Sequence, residues 1–218
     1  MATFAFKAVA LAVVVAFTEA LAPGHRSPPP FVTLSLRLFS VSSTNPFTTT
    51  RSQRWLSTDL GEIHAATIHN IEKFGCHILQ VKGTSTVPGY SYSIGLYDTA
   101  HQPEIIAIGM PQAAAVTAIN KAATLLRSGI NLTTARHANL IANRDCEFRP
   151  ADPKWVDHIM GRALWYYDDE PPPTLQLLYP DLNNCFQSDP GFDERFRQPL
   201  LQPDAPRTAK EEALWNSL

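Results

Sequence analysis

The stretch "GYSYSIGLYDTAHQPEIIAIGM", Gly89 to Met110, decides the fold. It reads as strand, loop, strand: Tyr90–Leu96 and Glu104–Met110, joined by a loop that contains Pro103. Successive side chains on a strand point to opposite faces. Tyr90, Tyr92, Ile94 and Leu96 therefore share one face, and Ser91, Ser93 and Gly95 share the other. On the second strand Ala107 and Gly109 supply a similarly small side. Pairing Ser93 with Ala107 merges these residues into a shallow trough, on which a helix, another backbone or a flat ligand can lie close. The expected occupant is the helix after Pro111, with Ala113, Ala114 and Ala115. Any functional site is then expected at the rim, near His101, Gln102 and Glu104.

Outward from this hairpin, a helix is expected from near Asp59, with Leu60, Ile63, Thr67, Ile71 and Phe74 on its buried face and Gly75 at its end. "CHILQVKG", 76–83, alternates as a strand. Past Pro111, the stripe Ala115, Ile119, Ala123 and Leu126 predicts a second helix closed by Gly129. Residues 131–142 are poorly patterned, and 146–151 read as a short strand. Asp152 caps a third helix, with Val156, Ile159, Ala163 and Tyr166 buried. "TLQLLYP", 174–180, reads as a strand, and "DLNN" as a turn returning through "CFQ", 185–187. Short consecutive strands with hairpin-length links predict an α+β domain. Its sheet is expected to be largely antiparallel, a three-strand meander plus a C-terminal hairpin, with helices packed on it.

The N-terminal part differs in composition. Residues 1–58 hold one acid and five bases, whereas the other residues hold 19 acids and 13 bases, a balance of −6. A mildly acidic body argues against a nucleic-acid partner, which needs a basic footprint. "AVALAVVVAF", 8–17, is too short to span a bilayer but suits a signal-peptide core, with Thr18 and Ala20 placed for cleavage. No other segment is long and apolar enough to cross a membrane. Leu21 to Thr58 has no acid, four arginines and thirteen Ser/Thr, which is transit-peptide composition. The expected organisation is a signal peptide at 1–20 and a transit-peptide-like or disordered segment at 21–58. A single domain follows at 59–203, with a tail carrying a short helix at 204–218. A signal peptide running into a transit peptide resembles the bipartite presequence of algae with secondary plastids, which implies a plastid reached through the ER; plain secretion is the alternative. Cys76, Cys146 and Cys185 are an odd count without a CxxC pair, so neither a disulfide framework nor a zinc site is expected.

Several blocks, in order, read Gly75-Cys76-His77, Tyr92-Ser93-Ile94-Gly95-Leu96, Gln102-Pro103-Glu104, Arg149-Pro150-Ala151 and Ala163-Leu164-Trp165-Tyr166-Tyr167. Leu175-Gln176-Leu177-Leu178-Tyr179-Pro180-Asp181, Asp189-Pro190-Gly191-Phe192 and Gln198-Pro199-Leu200-Leu201 follow. Together they resemble the mostly bacterial domain of unknown function 4262 family, from about Asp59 to Pro203. The departures are Cys76 for an aromatic, Gln102 for His, Tyr179 for Trp and Ser188 for Trp. The resemblance implies a fold and a residue list but no reaction.

The candidate ligand-binding residues are His77, Tyr92, His101, Gln102, Glu104, Gln176 and Asp181. A His/carboxylate pair does acid–base work when the two lie within hydrogen-bond reach. Gln176 is polar inside an apolar strand and needs partners if buried. Asp181 reads either as a cation ligand or as the start of a turn. There is no phosphate loop, nucleophile elbow or HExxH, and no cofactor is named by the sequence. The leading expectation is a non-enzymatic module binding a small ligand or a protein. The alternative is an enzyme: a hydrolase using His77, His101 and Glu104, or a flavin-binding protein with its cofactor across the meander.

Overall fold

A computed structural model describes residues 46–58, 60–141, 144–203 and 205. The signal-peptide core, most of the transit-peptide-like segment and the expected C-terminal helix lie outside the described residues. The elements run α1 (Thr50–Leu56), α2 (Glu62–Phe74), β1 (His77–Val81), β2 (Tyr90–Ile94), α3 (Leu96–Ala100), β3 (Glu104–Ile108) and α4 (Gln112–Arg127). Then come β4 (His137–Ile141), β5 (Arg144–Pro150), α5 (Pro153–Ile159), α6 (Gly161–Tyr166) and β6 (Thr174–Leu178). The six strands form one sheet in the order β1-β2-β3-β6-β5-β4.

The meander is present: β1 pairs antiparallel with β2, and β2 with β3. The sheet as a whole is mixed, because β3 pairs with β6 in parallel, and the expectation of a largely antiparallel sheet is corrected accordingly. No C-terminal hairpin forms, since residues 185–187 are not a strand. The reason lies in the side chains of β6. All five of its residues are buried, and a strand covered on both faces belongs inside a sheet rather than at its edge. β5 flanks β6 on its other side, antiparallel. β4, in the poorly patterned region, lies at the edge beyond β5; of its residues only Leu140 is buried, so little alternation marks it.

The alternation of the Gly89–Met110 stretch divides the two cores. Tyr92, Ile94, Ile106 and Ile108 enter one core with α2, α5 and α6; Ile105 and Ala107 enter the other with α4. The register pairs Ser91, not Ser93, with Ala107. α4 buries Ala115, Ala118 and Ala122 on this small-residue side, so the trough is a packing surface. β2 ends at Ile94 because Gly95 turns at φ 97 into α3. A Cβ at Gly95 would sit 2.8 Å from Ile71 side-chain carbons, so both backbone angle and space require glycine.

Two helices depart from their expected form. α2 is rotated: Thr67, Ile68 and Ile71 are buried, whereas Ile63 and Phe74 are exposed. The third helix breaks at Met160 (φ −104, ψ 43) into α5 and α6, yet the stripe Val156, Ile159, Ala163 and Tyr166 is buried as expected. α1 lies inside the segment read as transit-peptide-like. It begins with a capping box, in which the Thr49 and Ser52 side chains each accept from the other residue's backbone N–H. Arg51 and Arg54 both pair with Asp168, and the Ser52 hydroxyl donates to Glu72 Oε1 (3.3 Å). The folded unit therefore includes residues ahead of Asp59.

Candidate functional site

Beyond β6 the chain doubles back over the sheet, and this return segment borders a cavity of about 330 Å³ that is open to solvent on one side. Residues Glu147, Arg149 and Leu178 line it from β5 and the end of β6, and Phe186, Gln187, Ser188, Arg197, Gln198 and Leu200 from the return segment. Opposed register explains the pairing of strand residues: Glu147 faces Leu178 and Arg149 faces Gln176, so all four share one side of the sheet. Ligand sites are concave, mostly apolar and fixed by a few polar groups; Leu178, Phe186 and Leu200 supply the apolar part here.

The return segment is held by side-chain amides. Gln176, fully buried, donates through Nε2 to the Pro199 carbonyl (2.7 Å). Its Oε1 accepts from Leu201 N (2.8 Å) and from Gln202 Nε2 (3.2 Å). Gln198 clasps Tyr179 on both sides, accepting from its N–H (3.3 Å) and donating to its carbonyl (2.6 Å). The Gln187 side-chain oxygen accepts from Gln198 N (3.1 Å). Asp181 fixes the start of the segment: Oδ1 accepts from Asn183 N (2.8 Å) and Cys185 N (2.9 Å), and Oδ2 from Asp193 N (2.9 Å). Those backbone donors, working against desolvation, hold its carboxyl below the usual range. Gln176 and Asp181, both candidates from the sequence, thus hold the return segment in place and are not among the residues that line the cavity.

Charge along the rim forms a chain. Arg136 Nε donates to Glu147 Oε1 (2.8 Å) and Arg149 Nη2 to Glu147 Oε2 (3.0 Å). Arg136 Nη2 also reaches Asp189 Oδ1 (2.7 Å), and its guanidinium lies over the Phe186 ring at 4.4 Å. Arg197 is paired with Glu194 through both carboxylate oxygens.

The other candidates lie elsewhere. Glu104, with no solvent exposure, accepts from the Ser93 hydroxyl (2.5 Å), from Tyr97 N (3.1 Å) and from the Tyr167 hydroxyl. Ser93 Oγ in turn accepts from Ile105 N (2.9 Å), and the Tyr167 oxygen from Gly95 N (3.1 Å). Burial outweighs these donors and raises the Glu104 carboxyl above its ordinary value. His77 is half-buried beside Asn70, with Nδ1 to Nδ2 at 3.0 Å; burial, aided by the Arg162 charge, lowers its pKa. Tyr92 is buried, and its hydroxyl accepts from Arg162 N (3.3 Å). His101 is exposed in a left-handed conformation (φ 53) at the end of α3, and half-buried Gln102 follows it. No hydrogen bond joins any two of the seven candidates among the described residues.

Sequence reasoning missed Arg149, Phe186, Gln187, Ser188, Arg197 and Leu200 as site residues. Two of these stood inside the quoted blocks, Arg149 and Leu200, but nothing in a linear reading brings residue 149 to residue 200. Among the described residues no group of three or more His, Cys, Asp or Glu is arranged to hold a metal, and no helix is long and apolar enough to cross a membrane. No curated protein and no solved structure matches the chain. A family model does match, over residues 70–193, and this span runs from α2 through Asp181, Asp189 and Asp193 of the return segment. The chain belongs to the family described as Domain of unknown function (DUF4262).

Proposed function

We propose that this domain is a non-enzymatic binding module whose ligand is a small molecule held in the cavity under the return segment. The carrying observation is that cavity: about 330 Å³, within the range of small-molecule sites, with apolar and charged residues both in its wall. Its roof is pre-formed, because Gln176, Gln198 and Asp181 fix the segment through buried and part-buried hydrogen bonds. A pre-formed site spares the ordering cost of binding. Native mass spectrometry of the protein purified from its own cells tests the reading. The wild type should retain a small non-covalent mass that the variant Ser188→Trp, which fills the cavity from its exposed lip, does not. Equal retention by both proteins, or none by either, would contradict it.

Delivery to a plastid through the ER is the localisation this reading adopts, with secretion as the alternative. It rests on the composition of residues 1–45. Phe47 lies under the Arg127 guanidinium (5.5 Å to the ring centre), and its N–H donates to the Glu72 carbonyl (3.3 Å). Removal of a transit peptide should therefore end before Phe47. N-terminal sequencing of the native protein would show a start between Leu21 and Phe47; a start at Leu21 itself would favour secretion.

A further inference from the structure

Side-chain N–H and O–H donors are left over in the cavity wall, and they point to the ligand's chemistry. Each side-chain oxygen of Glu147, Gln187 and Gln198 already has a protein donor. Glu147 has one guanidinium donor on each oxygen, from Arg136 and Arg149. The Gln198 oxygen accepts from Tyr179 N, and the Gln187 oxygen from Gln198 N. Because each of these amide oxygens faces a backbone N–H, the orientation of both amides is fixed by the hydrogen bonds themselves. The donors are not used up. An arginine has five N–H donors. Arg149 uses one, on Glu147, and makes no other side-chain hydrogen bond among the described residues, although its charge also reaches the Asp189 carboxylate. Among the described residues the Gln187 Nε2 group, its oxygen already engaged, likewise donates to none, and the exposed Ser188 hydroxyl has no protein partner. Arg197, by contrast, is engaged with Glu194.

The charges agree with the donors. Of the residues lining the cavity, Arg149 and Arg197 are cationic and Glu147 is anionic; Arg197 is paired with Glu194, whereas the Glu147 carboxylate is shared by Arg136 and Arg149, so Arg149 is the lining cation without a carboxylate of its own. One such cation calls for a monoanion, and a single carboxylate supplies it. Guanidinium recognises carboxylate through paired N–H groups, stronger than neutral hydrogen bonds. Beside these donors Leu178, Phe186 and Leu200 offer an apolar wall.

Resting on the cavity reading above, we infer that the ligand is a small organic acid: one carboxylate, held by Arg149 with Gln187 and Ser188, on an apolar body lying against Leu178, Phe186 and Leu200. The probe pair is 3-phenylpropionate and its neutral isostere 3-phenylpropionamide, each titrated calorimetrically into the full chain, into Arg149→Gln and into Ser188→Trp. Both substitutions are at partly or fully exposed positions, and an unchanged melting temperature confirms that each variant is folded. The acid should bind the wild type at least tenfold more tightly than the amide. Arg149→Gln should erase that preference without weakening the amide, and Ser188→Trp should abolish both. Equal binding of acid and amide, lost in Ser188→Trp, would overturn the assignment of ligand class and leave the cavity reading intact. Acid binding untouched by either variant would place the acid outside the cavity and overturn the inference. Absence of any binding would overturn it too, and the native mass measurement then decides separately whether the cavity reading falls with it.

Discussion

Glu104 concentrates the physical chemistry of the core at one side chain. A carboxylate without water is costly unless it is paired or protonated. Here three donors converge on it, from Ser93, Tyr97 and Tyr167, and burial still raises its pKa. A raised acid pKa means that the folded state binds the proton more tightly than the unfolded chain, where Glu titrates near ~4.3. The associated stability is fully present below that value and is lost as pH rises through the folded-state pKa of Glu104. Glu104→Gln mimics the protonated form, since its amide can donate to Ser93 while its oxygen keeps Tyr97 and Tyr167. The difference in stability between Glu104→Gln and wild type, from urea denaturation, should therefore move in favour of the variant as pH rises above about 4.3. A difference independent of pH would contradict the raised pKa. Glu104→Ala differs in kind: it strands buried donors at about 1–3 kcal/mol each and should be strongly destabilising at every pH.

At the scale of elements, the small side of β2 and β3 exists so that α4 can approach. Ala115, Ala118 and Ala122 are all fully or almost fully buried against that side. Ser93→Leu should overpack this contact at a cost of about 1–3 kcal/mol, beyond the loss shown by Ser93→Ala, which removes the hydroxyl's bonds to Glu104 and from Ile105 N without adding volume. Thermal denaturation of the two variants measures the difference; equal losses would show that α4 does not press on this face. Much of this was legible in sequence, because the period-2 pattern of Gly89–Met110 and the stripe of α4 are unambiguous. β4 was not, since a partly exposed edge strand with one buried residue leaves no alternation to read. The buried face of α2 was read correctly at Thr67, whose hydroxyl bonds the Ile63 carbonyl (3.0 Å), and at Ile71, but misjudged at Ile63 and Phe74, which are apolar yet exposed, and at Ile68, which is buried. The placing of β6 was missed because "TLQLL" followed by a turn sequence fits an edge hairpin as well as a central strand. Its neighbours are decided by tertiary burial rather than by local chemistry.

The whole molecule is ordered around β6. Placing that late strand between β3 and β5 joins the N-terminal meander to the β5–β4 pair and makes the sheet mixed. It also brings the end of β6, and the return segment after it, over Glu147 and Arg149. The cavity is therefore a product of topology: its walls are contributed by residues 147–149, 178–179, 186–188 and 197–200. From sequence, Gln176 and Asp181 were identifiable as polar residues needing a reason, and the structure supplies one in the bonds that hold the segment. The cavity itself was invisible, because no local pattern announces a space bordered by four separate segments.

The central claim, that this space binds a small organic acid, is tested most directly by methyl NMR of the leucine-labelled full chain during titration with 3-phenylpropionate. Leu178 and Leu200 line the cavity, whereas Leu126 and Leu140 belong to the core under α4. The account predicts saturable shifts at the Leu178 and Leu200 methyls, none at Leu126 and Leu140, and no shift at any of the four in Ser188→Trp. Shifts centred on Leu126 and Leu140, or an unchanged spectrum in the wild type, would contradict it.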